Sequence, residues 1–213
     1  VTSPPYFNLR NYSEEENEIG KNQSLDEYIQ GLVRVFRSVR ENLSDDGTLW
    51  LNIGDSYAGR TPNRNRINGN HNVTKRSIPD GLKEKDLIGT PWRLAFALQA
   101  DGWWLRNELI WHKPNPMPSS AKDRFTVAHE QIFLFSKNKD YFFNPDPLRT
   151  NILNPRRIDP RIATGPSDTG AMPRTVWKLK PNSFMGEHPA VFPEDLPRRC
   201  MLAGCPEGGT VLD

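Results

Sequence analysis

The hydrophobic pattern changes period between Ser24 and Gly54, and that change restricts the fold more than any other feature of the chain. Leu25, Ile29, Leu32, Val33, Phe36, Val39 and Leu43 recur at the spacing of one helical face. Ser24 stands three residues before Glu27, so hydroxyl and carboxylate can satisfy exposed amides reciprocally in a capping box. Asp46-Gly47 then turns the chain, and Thr48 to Ile53 is a short apolar run stopped by Gly54, as a buried strand is. A helix feeding a buried strand is the unit of an α/β sheet with helices on its faces.

The alternation continues. A second helix is predicted from Thr90 to Gly102, with Pro91 at its first position, where a missing amide costs nothing. Trp103 to Trp111 and Gln131 to Phe135 read as strands. A further short strand near Tyr141 to Phe143, reached through a turn at Lys137 to Asp140, predicts an antiparallel hairpin at the sheet edge. A third helix is expected from about Pro193 to Leu202, and Thr210 to Leu212 reads as the start of another strand. The 213 residues suffice for one domain with a hydrophobic core and are too few for two large ones.

Several classes fall away. No apolar run approaches the roughly 18 residues that span a bilayer, and no basic-then-apolar signal opens the chain, so a cytoplasmic protein is expected. Cys200 and Cys205 lack partner cysteines or histidines at metal spacing, so no metal site is expected and both thiols should pack along one buried helix. A net charge of +2 says little, but its distribution says more. Arg60, Arg64, Arg66, Lys75 and Arg76 occur without an intervening acid, and bases including Arg156, Arg157 and Arg161 outnumber acids from Arg149 to Lys180. Residues 58–86 and 144–174, rich in Asn, Pro and Gly, read as long surface loops that could follow a phosphate backbone or equally stay solvated.

Thr2-Ser3-Pro4-Pro5-Tyr6 carries the chemistry. Consecutive prolines hold the backbone extended and donate no hydrogen bonds, which leaves carbonyls pointing outward as acceptors. An amine attached to an aromatic ring is a poor nucleophile because its lone pair is delocalised. If Ser3 and the Pro4 carbonyl each accept one of its hydrogens, the nitrogen pyramidalises and its lone pair becomes available for methylation. Tyr6 offers an aromatic face on which an extruded base can stack. Taken alone, the pentapeptide reads more readily as a polyproline turn with a core tyrosine.

In order along the chain, Leu49 to Tyr57, Gly89 to Leu94, Ile110 to Pro118, His129 to Phe135, His188 to Pro193 and Gly208 to Asp213 resemble, with the Ser3 to Tyr6 tetrapeptide first, the segments of the permuted beta-class amino-DNA methyltransferases. The resemblance implies a Rossmann-like α/β methyltransferase fold, a mostly parallel sheet with an antiparallel edge hairpin, in a circularly permuted order. It implies S-adenosylmethionine as cofactor, double-stranded DNA as partner and a bacterial or phage-infected cell as setting. Ser3, Pro4, Pro5 and Tyr6 become the catalytic residues. Thr2, Ser3, His188, Pro189 and Asp213 become cofactor contacts, and Tyr6, Trp111, Lys113 and Pro114 line the base pocket. The basic residues of the two loops become DNA contacts.

Duller readings stand beside these. Asp55 could merely cap a turn, His112 and His129 read as structural, Trp111 could be core, and His188 could orient backbone. Serine at the first catalytic position resembles members acting on cytosine-N4, with adenine-N6 as the alternative. The family's glycine-rich cofactor loop would follow Asp213, so the chain reads as a single methyltransferase domain, 1–213, truncated at both ends. A catalytically incomplete DNA-binding fragment is therefore a rival reading, and a homodimer stays open.

Overall fold

The computed structural model describes residues 1–7, 19–20, 23–59, 63–67, 70–74, 78–150, 170–181 and 191–212. The first helix, α1 (Leu25–Asn42), begins at the expected capping box, in which the Ser24 hydroxyl accepts from the Glu27 amide and the Glu27 carboxylate accepts from the Ser24 amide. It leads into β1 (Thr48–Ile53). A two-stranded ribbon follows, β2 (Asn63–Ile67) against β3 (Asn70–Thr74), so part of the segment expected to be loop is laddered. Next come α2 (Thr90–Ala100), β4 (Trp104–His112), β5 (His129–Ser136), β6 (Val176–Lys178) and α3 (Asp195–Gly204).

The main sheet has the order β1-β5-β4-β6. Thr2 adds a parallel bridge on the free side of β1, at Leu51. β5 runs antiparallel to both β1 and β4, whereas β4 and β6 are parallel. Thr2, β1, β4 and β6 therefore all run one way, with β5 alone reversed among them. The expected antiparallel pairing is present, but its strands are 129–136 and its two neighbours. Tyr141–Phe143 forms no strand, since the Phe142 amide bonds to the Asp46 carbonyl in a turn and the Asn144 amide to the Ala203 carbonyl at the end of α3. Thr210–Leu212 also stays outside the sheet.

Alternation along the central strands builds two cores. Leu49, Leu51 and Ile53 of β1 and Phe133 and Phe135 of β5 face α1 and α2, meeting Leu32, Phe36, Leu94 and Leu98. Trp50, Ile132 and Leu134 face the other way, toward Trp111, Trp177 and the Leu196 and Cys200 of α3. A strand covered on both faces must be apolar at nearly every position, which is why Thr48 to Ile53 reads as an unbroken run. Cys200 is buried in α3 as expected, while Cys205 lies just past the helix end and only half-buried.

Candidate active site

The chain enters the site from the sheet. Thr2 donates its amide to the Trp50 carbonyl at 2.9 Å and accepts from the Asn52 amide at 2.9 Å. Pro4 and Pro5 have no amide to continue that ladder, so the strand ends there by chemistry. The Tyr28 hydroxyl, from α1, donates to the Pro5 carbonyl at 2.8 Å and fixes the direction of departure. Ser3 is exposed and Pro4 is buried beside it, and among the described residues no donor reaches the Pro4 carbonyl. Two acceptors thus stand at the carboxyl edge of parallel strands, the edge at which α/β sheets bind ligands.

Tyr6 is held from several sides. Its hydroxyl donates to Glu130 Oε2 at 2.8 Å and lies 3.4 Å from Asn52 Oδ1, while Ser3 Oγ donates to it across a longer 3.4 Å. Asn52 is only 2% exposed, and its amide nitrogen is committed to the Gln131 carbonyl at 3.1 Å, which turns its oxygen toward the tyrosine. One edge of the ring rests on Gly54, where a Cβ would stand 2.7 Å from Tyr6 Cε2; only glycine leaves that space. Burial and the adjacent negative charge of Glu130 hold the phenol well above its ordinary pKa, so it stays a neutral donor.

Glu130 carries a second partner. Its Oε1 pairs with the Lys113 ammonium, which also sits 4.3 Å above the Trp111 ring. The result is a relay running from Ser3 through Tyr6 and Glu130 to Lys113. A Ser3 proton directed along this long contact to Tyr6 leaves its lone pairs to accept. Asp55, next to Gly54, is a cap: its carboxylate accepts from the amides of Ser56, Gly89 and Thr90 at 2.8, 3.0 and 3.1 Å, tying the start of α2 to the end of β1.

The structure thus brings Ser3, Pro4, Tyr6 and Lys113 together, with Pro114 half-buried at the root of the next loop. One reading is corrected and another narrowed. Trp111 is 3% exposed, and its indole nitrogen donates to the Leu179 carbonyl at 2.9 Å, so it supports Lys113 from the core instead of facing a base. Thr2 spends its backbone groups on sheet pairing, leaving only its side chain for a ligand. Arg64 and Arg66 fall on β2. Arg60, Lys75, Arg76, Arg156, Arg157, Arg161, His188, Pro189 and Asp213 lie outside the described residues. Glu130 and Asn52 were not singled out from sequence. The signal available was a carboxylate opening an otherwise apolar strand, and an asparagine inside one.

A family model described as DNA methylase matches residues 1–213. The chain belongs to the DNA methylase family. This methylase is 47% identical over 217 residues to the Type II methyltransferase M.SmaI of Serratia marcescens, a match covering 100% of this chain and 70% of the relative. It is 41% identical over 220 residues to the Type II methyltransferase M.Cfr9I of Citrobacter freundii, covering 100% and 68%. Among solved structures, the PvuII DNA methyltransferase (cytosine-N4-specific) superposes with a TM-score of 0.62 at 18% identity, over 97% of this chain and 62% of that one. A Thermus thermophilus protein, described as a putative DNA modification methylase complexed with S-adenosyl-L-methionine, gives 0.51 at 21% identity over 94% and 63%. The methylase thus shares the α/β fold of these proteins and spans less than two thirds of either solved chain.

Proposed function

We propose that this methylase transfers the methyl group of S-adenosylmethionine to the exocyclic amine of a base flipped out of double-stranded DNA, with cytosine-N4 as the target. The observation that carries the reading is the pair of acceptors at Ser3 and Pro4 beside the clamped ring of Tyr6. The described residues suit a sulfonium ligand, because the Ser3 edge presents oxygen acceptors and the adjacent cation, Lys113, is already neutralised by Glu130. Ser3 and the Thr2 side chain, with His188, Pro189 and Asp213, are the residues we assign to holding the cofactor. When bound, S-adenosylmethionine supplies an electrophilic methyl on a positively charged sulfur.

The chain's own part is positioning. Tyr6 offers its ring for the base to stack on. Ser3 Oγ, its proton already directed to Tyr6, accepts one amine hydrogen, and the Pro4 carbonyl accepts the other. The nitrogen lone pair is thereby localised and aimed. Serine at position 3, where the resemblance associates aspartate with adenine, favours cytosine. Kinship to Type II methyltransferases supports a cytoplasmic role as the protective half of a restriction-modification pair; no helix among the described residues is long and apolar enough to cross a membrane.

The deciding experiment measures transfer of labelled methyl groups to duplex DNA, followed by digestion and identification of the methylated nucleoside. N4-methylcytosine is expected, with Ser3→Ala and Tyr6→Ala both abolishing incorporation. N6-methyladenine would overturn the base assignment. DNA binding without transfer, under any cofactor concentration, would overturn catalysis itself.

A further inference from the structure

The segment between β4 and β5 is an arm with a defined root. The Lys113 amide donates to the Ala128 carbonyl at 2.8 Å, closing its neck beside Glu130 and therefore beside Tyr6. Because β1 and β4 run the same way, the arm leaves from the same sheet edge as the chain after β1, and two contacts fasten it there. Asp123 pairs with Lys85 at 2.8 Å, and the Arg124 guanidinium lies 3.8 Å above the Tyr57 ring. Pro114, Pro116 and Pro118 stiffen its outgoing limb.

What this held arm displays is apolar. Phe125 is 97% exposed and Met117 86% exposed. A phenyl ring so placed forgoes burial in its own fold, while the residues just before it are held against Tyr57 and Lys85. The charge around it selects the partner. Asp123, the arm's single acid, is already paired, which leaves Lys122 as an exposed cation just before the ring, with the exposed Arg124 guanidinium beside it on Tyr57. An apolar wedge next to cations, rooted at a base-binding site, matches the chemistry of a base stack bordered by phosphates.

We propose that residues 114–127 form a DNA-inserting arm and that Phe125 enters the duplex beside the target, filling the space the flipped base leaves. This rests on the reading of the chain as a base-flipping methylase. Unlike the basic loops at 58–86 and 144–174, the arm would act by holding the base pair open.

The test compares single-turnover methylation by the wild-type protein, Phe125→Ala and Phe125→Leu. The substrates are two duplexes carrying a site the wild-type protein methylates, one fully paired and one mismatched opposite the target base. A wedge that replaces one stacking contact is worth about tenfold to a hundredfold in rate on the paired duplex. Phe125→Ala should lose that factor there and regain most of it on the mismatched duplex, where opening is already cheap; Phe125→Leu should fall between. An equal loss on both duplexes, or no loss on either, overturns the wedge. A lowered melting temperature in both variants overturns it as well, because the ring would then be covered by protein. If no duplex is found that the wild-type protein methylates, the catalytic reading has failed first, and the two failures are told apart.

Discussion

Tyr6 is asked to do two things with separable parts of one side chain. Its ring is the platform and its hydroxyl the middle of the relay from Ser3 to Glu130. Tyr6→Phe keeps the ring and breaks the relay, so it should lower kcat by about twofold to tenfold, the worth of one hydrogen bond, and leave KM for DNA nearly unchanged. Tyr6→Ala removes both. Gly54→Ala probes the platform from beneath: its methyl would stand 2.7 Å from Tyr6 Cε2, and the ring cannot swing away without breaking its bond to Glu130. Transfer should fall at least as far as in Tyr6→Phe, with a loss of stability of about 1–3 kcal/mol from overpacking; wild-type activity in Gly54→Ala would show that the ring position does not matter. At this scale the sequence exposed half of the site. Ser3, Pro4 and Tyr6 are adjacent, and their chemistry is local. Asn52 and Glu130 meet Tyr6 across 46 and 124 positions, a proximity that only strand register creates. Trp111 misled because an aromatic at a strand end serves a pocket or a core equally well, and the parity of β4 decided for the core.

The elements were more legible than their pairings. Helices α1 and α2 and strand β1 fall within a residue or two of the ranges read from period and caps, because those signals are local. The strand expected at Tyr141–Phe143 failed because a turn signal does not say which partner wins, and β5 found both of its partners elsewhere. Asp55 shows how tightly neighbouring elements are joined. Helix α2 starts at a glycine with no side-chain cap of its own, and Asp55 supplies the acceptor from the end of β1. Asp55→Ala strands the Gly89 and Thr90 amides and should cost about 1.5–3 kcal/mol, the usual worth of hydrogen bonds to a charged group. Denaturant unfolding with an unchanged m-value would check this; a midpoint equal to wild type would refute the capping role.

For the molecule as a whole, two cores on opposite faces of one sheet make an alkaline weakness. Burial pushes the Cys200 thiol up to about 12, and it raises the phenols of Tyr6 and Tyr28 as well. In the unfolded chain these groups ionise from about pH 9 and 10 upward. Stability is therefore whole below pH 9 and falls as pH rises toward the folded values, where only the unfolded chain has released its protons. Melting temperature should decline above pH 9, and Cys200→Ala should flatten the first part of that decline; parallel curves for the two proteins would count against it. The three-layer plan was readable from the alternation of helix and strand, whereas the reversal of β5 inside the sheet was not. That reversal has an evolutionary corollary. A strand inserted backwards between two parallel ones needs a connection over the ligand edge but sets no length for it, because the register on both sides is fixed by the ladder. Doubling such a connection costs only about 0.6 kcal/mol in closure entropy. The stretch between β4 and β5 is thus a place where descendants of this sheet can gain or lose residues, and so acquire new target preferences, without renegotiating the scaffold that holds Tyr6.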